Sequence, residues 1–132
     1  MSPSAVLLRL SALSAFIAVL LGALGAHGPV HEMLVAGSKL ESWETAVRYH
    51  LPHSMFLYGC ALFWGSAGRV IRLGWRLIFA GTMLFSGSIY LLSAFQWKWL
   101  GPVTPLGGLF LMVGWLLLAA GSWGQGRETK GN

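Results

Sequence analysis

Four long apolar stretches dictate what this chain can become: residues 5–26, 40–66 (continuously apolar from about residue 46), 73–95 and 103–121. Each is about the length a helix needs to cross ~30 Å of hydrocarbon at ~1.5 Å per residue. Their residues are apolar in continuous runs and do not alternate, which is the pattern of a spanning helix and not of a barrel strand. In hydrocarbon every backbone N–H and C=O must find its partner inside the protein, and a helix does this within one segment. The expectation is an all-α integral membrane protein, a four-helix up-down bundle forming one domain over residues 1–132. Only 10% of the residues are charged and 55% are hydrophobic, against roughly 25% charged in an ordinary globular domain.

The first stretch is closed by the small residues "ALGA", as a secretory signal would be, but it is expected to stay as a true span. A net charge of +5 would point a soluble chain toward nucleic acid. Here the distribution of the charges explains them without such a partner. Arg9, the turn "GRVIRLGWR" with Arg69, Arg72 and Arg76, and the tail with Arg127 and Lys130 share one side of a four-span bundle. Lys39, Arg48 and Lys98 fall opposite, with Glu32, Glu41 and Glu44. The excess of cations at short cytoplasmic loops then predicts cytoplasmic termini in an inner (plasma) membrane, with residues 27–39 as the outer connection and 122–132 as a flexible cytoplasmic tail. Cys60 lies alone mid-span and forms no internal disulfide.

Between membrane helices, small residues let backbones approach closely. Gly74, Gly81 and Ser88 recur at steps of seven, as do Gly107, Gly114 and Gly121, while Ser14, Ala18, Gly22 and Ala26 recur at steps of four. Steps of seven return to one helix face and predict close, left-handed packing. Two similar pieces, "GSAGR" and "GSWGQGR", follow the second and fourth stretches. They are a faint echo of a two-span duplication.

The outer connection holds most of the polar chemistry. "SKLE", Ser38 to Glu41, has capping-box spacing and predicts a helix start near Lys39. "VHEML" suits a short helix lying on the membrane surface. Glu44 and Arg48 stand four apart in the order that favours an ion pair. Pro52, inside "YHLPHS", removes a hydrogen bond to the Arg48 carbonyl and predicts a kink.

The boxes "GALGAHGPV", "WETAVRYHLPHS", "LFSGSIYLL" and "TPLGGLFLMVGWLLLA" give the chain a resemblance, from about Val6 to Ala120, to the small four-span membrane family labelled domain of unknown function 423 (UPF0382-type), found also as a small transmembrane protein in animals. The resemblance implies that Gly25, His27 and Gly28, Thr45, Ala46, Tyr49 and His53 belong to its recurring boxes. In the second half it marks Ser86, Gly87, Ser88 and Tyr90, then Thr104, Pro105, Gly107 and Gly108. It brings no activity with it. His31, His50 and Pro52 stand outside these boxes.

An up-down path brings the polar members of the boxes to the outer side. One cluster of His27, Arg48, Tyr49, His53, Tyr90 and Thr104 is expected, with His31, Glu32, Glu44 and His50 as secondary candidates, and with Gly22, Gly74, Gly81, Ser88, Gly107 and Gly114 as packing positions. Three functions fit such a cluster. The preferred one is a hydrogen-bonded clasp in a small non-catalytic protein, an accessory or scaffold subunit that packs against lipid, a larger membrane complex or its own copies. The second is a metal or haem site on His27 and His53, with His31, Glu32 or His50 beside them, since His50 and His53, in His-x-x-His spacing, share a helix face. The third is a small transporter or channel, although no ionisable side chain lies deep in a span, Arg9 being close enough to an end to reach water. No enzyme and no cofactor are expected, because adjacent His53 and Ser54 point apart on a helix.

Overall fold

A computed structural model describes residues 1–124 as helices joined by short turns, with no β-strand among them. Arg127, Lys130 and most of the expected tail lie outside the described residues. The helices are α1 (Pro3–Ala26), α2 (Gly28–Ala36), α3 (Leu40–Leu62), α4 (Arg69–Phe95) and α5 (Val103–Ala120), with single 3-10 turns at Trp64–Ser66 and Lys98–Leu100.

Helix boundaries follow from local chemistry. Ser2 caps α1 by accepting from the Ala5 N–H at 3.2 Å, and Pro3 opens the helix where its missing donor costs nothing. Gly28 sits at φ +79°, a left-handed conformation costly for a residue with a Cβ, so α2 breaks away from α1 there. The short helix expected around "VHEML" is α2. The expected capping box does not form. Ser38 takes φ 54° and Lys39 is the N-cap of α3 without any side-chain capping bond. The reason lies upstream: the Gly37, Ser38 and Lys39 N–H groups bond back to Met33, Val35 and Leu34, so closing α2 dictates the geometry of Ser38.

Three helices are long and apolar enough to cross a membrane: α1, α4 and the segment Lys98–Ala120 that contains α5. Helix α3 is 23 residues long, but Glu41, Glu44, Arg48, His50 and His53 dilute its apolar character as far as residue 53. It runs unbroken through Pro52, whose ring is exposed.

Contacts order the helices as neighbours in chain sequence. Ser14 meets Ser54, Gly22 lies against Val47, and Gly25 lies beneath Trp43, so α1 and α3 are antiparallel. Trp75 Nε1 donates to the Leu57 carbonyl at 3.0 Å and Ser86 Oγ to the Ala46 carbonyl at 2.8 Å, which sets α4 antiparallel to α3. Helix α5 returns along α4 through the glycine stripes. A Cβ on Gly114 would come within 2.6 Å of Ile78 Cγ1, and one on Gly81 within 2.8 Å of the Leu111 nitrogen. These glycines are there for close backbone approach, as their spacing predicts. On α1 the buried positions are Ser11, Ser14, Ala18 and Gly25, at steps of three, four and seven; Ala26, the last member of the expected four-residue series, is exposed.

Two apolar clusters fill the interior. One gathers Leu57, Trp64, Ile71, Trp75, Ile78 and Leu111; the other gathers Leu34, Trp43, Ala46 and Tyr90. The turn after α3 is held by Arg72, whose guanidinium donates to the Ala67 and Trp64 carbonyls at 2.9 and 3.3 Å and lies over the Trp64 ring. The two similar pieces of sequence meet in space at residues 66–68 and 122–124. The Gly68 N–H donates to the Ser122 carbonyl and the Gly124 N–H to that of Ser66, with an antiparallel bridge between Ala67 and Trp123.

Candidate functional site

Only one histidine lies in the interior. His50 is 4% exposed on the stripe of α3 that also buries Trp43, Ala46, Ser54, Leu57 and Ala61. This stripe repeats every three or four residues, the spacing of one helix face. His53 is three residues on and falls beside it.

The His50 ring joins three helices. Its Nε2 is 3.0 Å from Ser14 Oγ on α1, and its Nδ1 is 3.0 Å from the Tyr90 hydroxyl on α4. Ser14 is in turn 2.7 Å from Ser54 Oγ, and Ser54 donates to the His50 carbonyl at 2.9 Å. Counting protons orders this chain. Ser54 has one hydrogen and gives it to a carbonyl, which only accepts, so Ser14 must donate to Ser54. Ser14 then has none left for the imidazole, so Nε2 carries the ring proton and donates to Ser14. Nδ1 is left as an acceptor for the Tyr90 O–H. Four donors thus run in one direction, with a neutral imidazole in the middle, and Tyr90 is also braced edge-on by Trp43 at 4.9 Å between ring centres.

The six residues expected to form one cluster are divided among several places. Tyr90 belongs to the buried network just described. Thr104 bonds Ser88, tying α5 to α4; because Ser88 donates to the Phe85 carbonyl, Thr104 is the donor of this pair. His53 faces α5, where its Nδ1 donates to the Tyr49 carbonyl at 2.7 Å and its Nε2 accepts from Trp115 Nε1 at 3.1 Å. Tyr49 stacks beside it. Arg48 and His27 are exposed, with His27 forming the break between α1 and α2. The three-residue spacing of the "YHLPHS" histidines is real on the helix surface. It turns one toward α1 and α4 and the other toward α5.

Among the secondary candidates, His31 Nδ1 donates to the Gly25 carbonyl at 2.8 Å and ties α2 to α1, while Glu32 and Glu44 are exposed. Gly25 has a second reason to be glycine. The Trp43 indole lies over it, donating from Nε1 to the Leu21 carbonyl at 2.8 Å, and a Cβ there would sit 2.5 Å from the ring. Among the described residues no three His, Cys, Asp or Glu side chains are grouped as metal ligands.

The family model described as "Protein of unknown function (DUF423)" matches residues 21–108, from the last turns of α1 to the first of α5. The chain belongs to this family. It is 41% identical over 116 residues to the UPF0382 membrane protein YwdK of Bacillus subtilis, covering 86% of this chain and 92% of that one. A UPF0382 membrane protein of Staphylococcus saprophyticus is 38% identical over 119 residues, covering 89% and 97%. One of Haemophilus influenzae is 36% identical over 117 residues, covering 88% and 92%. No solved structure matches. The DUF423 match encloses His50, Ser54, Tyr90 and Trp43 and leaves Ser14 outside.

Proposed function

We propose that this DUF423 protein crosses the plasma (inner) membrane four times, with its termini and the Arg69–Arg76 region in the cytoplasm, and that it is a non-catalytic accessory or scaffold subunit of a larger membrane assembly. The observation that carries the non-catalytic reading is that every side-chain nitrogen and oxygen fully shut off from solvent among the described residues has a hydrogen-bond partner. A network whose members are paired with one another serves to fix helices together. His50, the one buried imidazole, is satisfied at both nitrogens by hydroxyls of the same chain.

The fourth crossing is supported by the placement of α3. It lies antiparallel between α1 and α4 for its full length, and its buried polar groups are paired inward, where they cost far less than against lipid. The orientation is supported by Arg69, Arg72 and Arg76 at one end of the bundle, against Lys39 and Lys98 at the other. Large exposed apolar side chains on the outer helices, such as Phe16 on α1 and Leu116 on α5, at 62% and 69%, offer surface for lipid or for a partner's helices.

Isolation in mild detergent from the native membrane, with mass spectrometry of co-purifying chains and elemental and visible-absorption analysis, tests the role. A stoichiometric partner supports it. A bound metal or pigment lost in His50→Ala or His53→Ala overturns it. Single cysteines placed by Gly37→Cys or Gly65→Cys in a Cys60→Ala background, probed with an impermeant maleimide on intact cells, test the crossing; only the first should react.

A further inference from the structure

At the end of the bundle that carries the α4–α5 turn, a cleft of about 540 Å³ opens between the start of α3, the end of α4 and the start of α5. Its rim is polar: Lys39, Ser42, Gln96, Lys98 and Thr104 contribute to its lining. Its wall along α4 is apolar, made by Ile89 and Leu92, with Pro105 opposite. Ser93, only 6% exposed, is also a lining residue, so what surface it has opens here.

The chemistry of this rim is that of an anion site. Two lysines line it and no acidic residue does; Glu41 lies outside the lining, and Glu44 lines a separate opening between α1 and α3 together with Arg48. Helices α3 and α5 both begin at the rim, and neither has a side-chain cap, so first-turn N–H groups are left without acceptors. Each such end carries about half a positive charge. The last carbonyls of α4 oppose this with a similar partial charge, which the two lysines outweigh. Proton counting limits the donors further. Thr45, also in the lining, gives its hydrogen to the Glu41 carbonyl and Thr104 gives its own to Ser88. The donors left for a ligand are Lys39, Lys98, Gln96 and the Ser42 and Ser93 hydroxyls.

The cleft lies where the spans α4 and α5 meet the headgroup layer, and its apolar wall continues from the rim along α4. We propose that it binds the phosphate of an anionic phospholipid, with Lys39 and Lys98 as the ionic contacts and the first part of an acyl chain lying on Ile89 and Leu92. This rests on the membrane embedding of α4 and α5 and not on the accessory role.

Native mass spectrometry of the full chain in a non-ionic detergent, titrated with phosphatidylglycerol or phosphatidylcholine of matched chains, reads the site directly. Phosphatidylglycerol should be retained in preference, and Lys39→Ala/Lys98→Ala should weaken its retention by roughly tenfold or more, the scale of losing charge-assisted hydrogen bonds. Arg69→Ala/Arg76→Ala, which removes the same charge at the opposite end, should leave it unchanged. Equal retention of the two lipids, or an equal loss in both double variants, overturns the site. Inorganic phosphate competing as strongly as the lipid overturns the lipid as its ligand. The thermal transition of each variant without added lipid checks that the fold is kept.

Discussion

Tyr90→Phe isolates one bond of the buried network. The ring survives, so the edge-on contact with Trp43 and the packing with Ala46 and Leu34 are retained, and only the hydroxyl 3.0 Å from His50 Nδ1 is lost. That nitrogen becomes a buried acceptor without a donor, and switching the ring tautomer offers no escape, since it would leave a buried N–H unpaired in its place. In a water-soluble interior the cost would be about 1–3 kcal/mol. Hydrogen bonds between membrane helices average ~0.6 kcal/mol and reach ~1.7, because the unfolded helices find other partners in the membrane. His50 is buried in protein on all sides, so the upper part of that range applies, and about 1–1.5 kcal/mol is expected. Ser14→Ala should cost more, since it strands the Nε2 proton, removes the donor to Ser54 and leaves a small void. Reversible unfolding in mixed micelles by added dodecyl sulfate measures both. Because the two hydroxyls hold the same ring, the double variant should depart from additivity by at least ~0.5 kcal/mol. A Tyr90→Phe effect within ~0.3 kcal/mol of zero, or strict additivity with Ser14→Ala, would refute the directional chain through the imidazole.

Gly114→Ala should destabilise the same unfolding transition by about 1–3 kcal/mol, since its Cβ would meet Ile78 at 2.6 Å, whereas Gly87→Ala, with nothing within 4 Å, should be neutral or stabilising by up to ~1 kcal/mol. Trp43→Phe removes the bond to the Leu21 carbonyl and part of the cover on Gly25; a loss of about 1–2 kcal/mol is expected by the same assay. Cys60, 7% exposed in the core beside Leu57 and Trp64, should resist alkylation by a bulky maleimide until the protein is unfolded, as followed by mass shift.

The long elements were legible because their cause is long-range in sequence. A run of apolar residues fixes a helix of matching length, and α1, α4 and α5 start and stop within a few residues of the runs. The glycine stripes were legible for the same reason: a seven-residue repeat needs no knowledge of the partner to mark a face. What could not be read from "YHLPHS" was the rotation of α3 about its own axis. Whether His50 or His53 points inward depends on which stripe buries Trp43, Ala46 and Leu57, and the spacing of these three residues carried that signal. The resemblance drew attention to His53 and to exposed His27, while His50 lay outside its boxes. Ser38 misled for a different reason. A capping box is a statement about the helix that follows, but the backbone there is set by how α2 ends.

The pairing of residues 66–68 with 122–124 has a mechanical consequence. It fastens the far ends of α4 and α5 to each other, so the two helices and their connection form a closed ring instead of a hairpin with loose arms. Opening such a ring at its fastened end requires breaking two backbone hydrogen bonds, and the other end is held by the covalent turn and by the Ser88–Thr104 hydrogen bond. The pair is therefore closed at both ends, and the lysine-lined cleft sits over the end that the chain itself joins.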